Sequence, residues 1–235
     1  MALVLVVRHG QASFGAEDYD VLSETGWAQG RLLGAALAAE GLRPSRVVRG
    51  SMRRHRETTE ALLEALVAAG GSAPDAEVVV DGRWDEFDHL GVVAAHPDLP
   101  QGGTAALDRR EFQRVFLEST RRWALGEEPA AGSGGYPETF ADFVGRSTEA
   151  LGDACARAGD GPVLVVTSGG PVGIVAASLV GPEDPEPAVT ARLWERFNTV
   201  CVNSSVSRVL VGSTGTRLLS FNEHGHLDAD HLTFR

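Results

Sequence analysis

Three stretches of the chain set reactive side chains just past a short apolar run: Arg8-His9-Gly10, Trp84-Asp85-Glu86 and Thr167-Ser168-Gly169. A fourth, Arg53-Arg54-His55-Arg56, concentrates cations between the first two. Together they suit chemistry on phosphorus. A neutral imidazole such as His9 can attack phosphorus and hold the phosphoryl group covalently, splitting hydrolysis into two easier steps. Arginines such as Arg8 and Arg54 present planar donor forks that match phosphoryl oxygens, and they favour the neutral, nucleophilic imidazole by like-charge repulsion. A carboxyl group such as Glu86 can protonate a leaving alkoxide and then take a proton from water. Gly169-Gly170, at the start of a helix, would add backbone N–H donors for a phosphate oxygen.

The net charge of −11 sharpens this pattern, because an anionic ligand must then be held by local cations against an unfavourable global field. The same charge argues against binding nucleic acid or an anionic membrane, either of which needs a basic face.

The elements that must carry these residues alternate. Leu3 to Val7 reads as a buried strand, Ser23 as the N-cap of a helix running to Gly41, and Arg46 to Arg49 as a second strand. A helix through Thr58, Leu62 and Leu66 stops at Gly70-Gly71, and Val78-Val79-Val80 reads as a third strand. Pro137 to Arg157 reads as helix, Val163 to Thr167 as an unbroken buried strand, and Ser168-Gly169-Gly170 as the entry to a further helix. Ser205 to Val211 and Arg217 to Phe221 form a closing hairpin around Gly212 to Gly215. The pattern predicts one α/β domain over residues 1–235, a three-layer sandwich around a mostly parallel sheet. The stretch from His96 to Gly135, with one helix around Arg109 to Leu125, reads as a helical insert or cap. In open α/β sheets ligands sit outside the carboxyl ends of the strands, the one place where the reactive segments can converge.

Arg8-His9-Gly10-Gln11 resembles the signature tetrad of the histidine phosphatase (phosphoglycerate mutase-like) superfamily. Leu22 to Gly30 resembles that family's first helix entry, and Gly50 to Thr58 its second motif. The similarity continues through Trp84-Asp85-Glu86, Val163 to Gly170 and Phe221 to Leu227, sparing the insert. The resemblance implies a phosphorylated His9, phosphate binding by Arg8 and Arg54, Thr58 at the helix start and Glu86 as general acid. In the family a second histidine follows the fourth strand; here Ser168 stands in that place. Ser168 and Gly169 are thus expected to complete the phosphate pocket, with Gln11, Thr58, His89 and His226 behind it. His226 or His89 would fill the vacant place if any histidine does.

Other readings compete. Arg53 and Arg56 suit a solvated helix face, Trp84 suits the core, and Asp88 could replace Glu86 as the acid. A phosphoglycerate mutase-type phosphotransferase would use the same phosphohistidine but lacks the mutases' extra substrate-closing segments here. A non-catalytic phospho-ligand-binding module is favoured by Ser168 and opposed by His9 and Glu86. An esterase built on Ser168 fails because Val166 occupies the first glycine position of a Gly-x-Ser-x-Gly elbow.

The expected activity is therefore phosphatase action on a phosphorylated small molecule, without cofactor or metal, since the histidines show no metal-ligand spacing. The two cysteines, Cys155 and Cys201, suit buried thiols in a reducing compartment. With the apolar start too short for a signal peptide and no stretch of transmembrane length, a cytoplasmic protein is expected. Nothing in the sequence specifies an oligomeric state.

Overall fold

The computed structural model describes residues 2–13, 20–72, 78–100 and 102–234. Its strands are β1 (Ala2–Arg8), β2 (Arg46–Arg49), β3 (Val79–Val80), β4 (Val163–Thr167), β5 (Val206–Gly212) and β6 (Gly215–Glu223). They form one six-stranded sheet in the order β3-β2-β4-β1-β5-β6. β1, β2, β3 and β4 run parallel, while β5 and β6 return antiparallel at one edge. The helices are α1 (Glu24–Ala39), α2 (Arg53–Ala68), α3 (His89–Ala94), α4 (Arg109–Ala124), α5 (Phe140–Arg157), α6 (Gly169–Val180) and α7 (Pro187–Val200).

Strand alternation builds the layers. Val4, Val6, Val163 and Val165 pack with Ala150, Leu151 and Ala154 of α5 and Val172 and Val175 of α6. Their neighbours Leu5, Val7, Leu164 and Val166 pack on the opposite face with Leu33 and Leu37 of α1 and Leu62 and Leu66 of α2. Successive side chains of a strand point to opposite faces, so runs apolar at every position require a helix layer on each side. The α/β three-layer sandwich expected from sequence is what forms.

Several elements depart from expectation. β3 is only two residues long and exposed, so it adds little to the sheet. The helix expected from Pro137 begins at Phe140, because Thr139 and Asp142 make a reciprocal capping box there. α3 and α7 have no counterpart in the sequence-based assignment. α3 is a short helix capped by Asp88. α7 starts with Pro187 in its first turn and buries Ala191 and Trp194. Inside the expected insert, α4 is set by an Asp108–Glu111 capping box. Under it Phe87, Trp123, Phe140, Phe143 and Trp194 form an aromatic cluster, with Phe87 stacked on Trp123 at 4.6 Å between ring centroids.

Parallel register decides what meets at the carboxyl edge. Arg8 of β1 lies opposite Thr167 of β4, and Arg49 of β2 opposite Val166. The ladder runs one step further, with His9 N–H donating to Thr167 O at 2.8 Å and Gly50 N–H to Val166 O at 3.1 Å. His9, Gly50 and Ser168 therefore leave the sheet side by side.

Candidate active site

His9 is nearly buried at the end of β1, and its Nδ1 lies 2.6 Å from the Gly10 carbonyl oxygen. A carbonyl only accepts, so Nδ1 carries the proton and Nε2 keeps its lone pair. Burial first, then the charges of Arg54 and Arg8, hold the ring's pKa well below the ordinary imidazole value, the Gly10 bond opposing them. His9 is thus a neutral imidazole at neutral pH with Nε2 as its basic atom. The loop around it is tied at several points. Gly10 N–H donates to Thr58 Oγ1 at 3.0 Å, and the Thr58 hydroxyl donates to Arg54 O at 2.7 Å. Ser204 N–H and Asn203 Nδ2 both donate to His9 O. Gln11 turns outward to α1: its Oε1 accepts from Ser23 and its N–H donates to Gln29.

Both arginines expected at the pocket lie beside it. Arg8 Nη1 donates to the carbonyls of Cys201 and Phe234. Arg54 Nη1 donates to Asp20 at 2.9 Å, and Nη2 reaches Ser168 Oγ at 3.3 Å. The Nε of each is buried without a hydrogen-bond partner. Unpartnered buried donors are uncommon and costly, and here two flank a neutral histidine.

Glu86 is held against the same corner. Its Oε2 accepts from Gly170 N–H at 3.1 Å and its Oε1 from Phe87 N–H at 3.2 Å. A Cβ at Gly170 would collide with that carboxylate, so the second glycine makes room for the acid. The Gly170 N–H, expected from sequence to serve a phosphate oxygen, is therefore committed to Glu86. Gly169 opens α6 next to Arg8, whose Nε would lie 3.4 Å from a Cβ there. The segment carrying Glu86 is clamped through its backbone: Thr167 Oγ1 donates to Trp84 O, and Arg146 Nη1 donates to Asp85 O at 2.6 Å and Arg83 O at 2.9 Å. Asp88 is occupied in capping α3, where it accepts from Gly91 N–H at 3.0 Å.

The place beside Ser168 holds a histidine, but not the one expected. His226 lines a separate groove with Leu33, Leu37 and Arg208, and burial pushes its pKa down to about 4. His89 opens α3 and meets Phe116 edge-on, close enough to Glu86 and Arg54 for both to act on its pKa, which burial lowers. The ring against Ser168 is His55, in the first turn of α2. Its Nε2 lies 2.8 Å from Ser168 Oγ, its Nδ1 lies 3.7 Å from Asp85 Oδ1, and its centroid is 5.8 Å from that of His9. Ser168 and His55 are both fully buried. Asp85 is oriented by Ser51, whose N–H donates to Oδ1 at 2.6 Å. Gly50 lies so close that a Cβ would strike both the His55 ring and the Asp85 carboxylate.

Sequence reasoning missed His55 and Asp85 because each stands beside a more conspicuous residue, Arg54 or Glu86. Gly50 ahead of the helix was the available signal. Among the described residues no group of three or more His, Cys, Asp or Glu side chains could hold a metal ion.

Comparisons with known proteins bear on the fold and the family. Among curated proteins, none matches the chain in sequence. YhfR of Bacillus stearothermophilus superposes with a TM-score of 0.68 at 21% identity, over 96% of this chain and 99% of that one. A mycobacterial glucosyl-3-phosphoglycerate phosphatase gives 0.61 at 22% identity, over 96% of this chain and 100% of that one. A phosphoserine phosphatase mutant from Entamoeba histolytica, in complex with phosphoserine, gives 0.63 at 16% identity, over 97% of this chain and 100% of that one. At such identities these similarities establish the fold. The sequence model of the histidine phosphatase superfamily (branch 1) matches residues 4–224, nearly the whole chain, and the protein belongs to that family.

Proposed function

We propose that the protein is a phosphatase of phosphomonoesters that works without metal or other cofactor, through a phosphohistidine on His9. The observation that carries this is the pair of buried, unpartnered Nε donors of Arg8 and Arg54 beside a neutral imidazole with its Nε2 lone pair free of the proton. Oxygens of a bound phosphoryl group would satisfy both donors in charge-assisted hydrogen bonds. Ser168 and Gly169 supply the remaining side of the pocket.

In the first step Nε2 of His9 attacks phosphorus, the ester P–O bond breaks, and protonated Glu86 gives its proton to the departing alkoxide. In the second, water attacks phosphorus and gives a proton to the Glu86 carboxylate. The P–N bond breaks, releasing inorganic phosphate and neutral His9. Thr58 and Gln11 hold the His9 loop, and His89 stands at the Glu86 side. The substrate is a phosphorylated small molecule, a reading supported by the phosphatases among the structural neighbours. We also propose a cytoplasmic setting; among the described residues no helix is long and apolar enough to cross a membrane.

Incubation with a labelled phosphodonor should produce an acid-labile, base-stable protein adduct that is absent from His9→Ala. Label should leave as free phosphate, and chelators should not slow its release. Binding of phosphate with no adduct and no turnover would instead favour the non-catalytic module.

A further inference from the structure

Ser168, His55 and Asp85 stand in a row, the first two buried and Asp85 half-buried, and the phosphatase chemistry above leaves His55 and Asp85 without a part. The hydroxyl sits at the strand end beside His9, the imidazole directly behind it and the carboxylate behind the imidazole. Burial keeps the His55 pKa lowered, with Arg54 adding to the effect while Asp85 and Glu86 oppose it. His55 Nδ1 has no hydrogen-bond partner, although Asp85 lies just beyond hydrogen-bond range and is itself anchored to Ser51. The groups facing His55 are thus Arg54 on its own helix, Asp85 and Glu86 from the segment after β3, Ser168 at the start of α6, and His9 at the end of β1. A tetrahedral dianion arriving at Arg8, His9 and Arg54 would offset the Arg54 charge that adds to burial in lowering the ring's pKa.

We propose that Ser168, His55 and Asp85 act as a proton-gated oxyanion relay: when a tetrahedral dianion binds, His55 takes one proton from solvent, donates through Nε2 to Ser168 Oγ and through Nδ1 to Asp85, and Ser168 turns its hydroxyl proton onto an oxygen of the anion. The proposal rests on the oxyanion pocket of the phosphatase reading and names how its hydroxyl ligand, Ser168, gains a charged partner behind it. Protonation supplies the missing hydrogen: Ser168 Oγ can then accept from His55 and Arg54 while donating forward. A neutral His55 with its proton on Nδ1, the side facing Asp85, would accept the Ser168 hydroxyl proton at Nε2, leaving Ser168 nothing to offer the anion. His55 acts through Ser168, so it is a positioning residue; Ser168 is the group that touches the ligand. A serine nucleophile activated by the same histidine is the rival use of this series.

Sulfate is the probe of choice, since it is tetrahedral, dianionic and does not titrate near neutral pH. Calorimetric titration at pH 7 in two buffers of different ionisation enthalpy measures proton uptake on binding. The wild type should take up about one proton more per sulfate than His55→Gln, by the linkage between binding and protonation. Equal uptake by the two would overturn the relay. With nitrophenyl phosphate, His55→Gln and Ser168→Ala should each slow turnover roughly 5- to 30-fold, the difference between a charge-assisted and a neutral hydrogen bond. The double variant should cost no more than either single one. Additive losses would overturn the relay, as would Ser168-dependent hydrolysis of nitrophenyl acetate. Should a variant fold poorly, the exchange Ser168→His with His55→Ser keeps the question open to experiment. It must bind sulfate more tightly than Ser168→His alone, where two rings compete for one space, and failure to do so counts against the relay. Absent turnover by the wild type, with His55-dependent proton uptake intact, would remove the phosphatase reading and leave the relay standing.

Discussion

The strand-end pocket and the aromatic cluster under α4 are built on opposite principles, and the segment 84–87 belongs to both. In the pocket, His9, Arg54, His55, Thr58 and Ser168 are polar and buried, each placed by directional bonds. In the cluster, Phe87, Trp123, Phe140, Phe143 and Trp194 are placed by area and shape. Between them, consecutive residues part ways: Asp85 faces His55, Glu86 reaches Gly170, and Phe87 enters the aromatic stack. Buried polar groups are costly unless satisfied, whereas aromatic burial stabilises without directional demands. The pocket therefore spends stability that the cluster helps to supply, and substitutions in the two regions should fail differently.

The largest expected effect breaks the chemistry alone. His9→Ala should lower turnover by about 10⁴-fold or more, as loss of a covalent nucleophile does, while the urea midpoint stays close to that of the wild type. A large loss of stability would erase the contrast between the regions. Glu86→Gln should come next, costing about 10²- to 10³-fold on an alkyl phosphate and far less on nitrophenyl phosphate, whose leaving group needs no proton. Equal losses on both substrates would show that Glu86 is not the acid.

On the other side of the comparison, Trp123→Ala should destabilise the protein by about 3–5 kcal/mol in urea unfolding. Its rate loss should exceed that of a peripheral substitution only to the extent that Phe87 shifts Glu86. A rate loss as large as that of Glu86→Gln, in protein still folded, would mean that the cluster positions the acid and the division is too clean.

Histidine titration sharpens the contrast at smaller amplitude. Because His9 is held well below the ordinary imidazole value, the acid limb of kcat/KM should fall below pH 6.5. Arg54→Gln should move that limb upward by removing a cation. His226 is less buried than His9 and takes no part in the proposed chemistry. Its folded pKa of about 4 lies below the unfolded value of 6.5, so its neutral form favours folding. That contribution is fully present above pH 6.5 and is lost as pH falls toward about 4. The ring is only partly buried, so the amplitude should be modest. In His226→Gln the urea midpoint should decline less steeply across that window, with turnover unchanged; an unchanged slope would show that His226 is not a source of acid sensitivity.

What could be read in the chain before any fold was local. Arg8-His9-Gly10 follows directly on β1, Ser23 precedes its helix, and the apolar runs of β1 and β4 reveal strands covered on both faces. Those features depend on neighbours a few residues away, so residue order alone exposes them. The short α3 and the amphipathic α7 were not legible, because each owes its stability to packing against elements distant in sequence. The same holds at the pocket. His55 and Ser168 are 113 residues apart, and their hydrogen bond exists because β2 and β4 lie side by side in parallel register, with Gly50 leaving space for the ring. The residue types and their local order were enough to determine an α/β sandwich with a histidine at a strand end. Which second imidazole would stand beside that histidine was decided by sheet order and register, because direct contact at this range requires the backbone to bring two distant strand ends within a few ångströms.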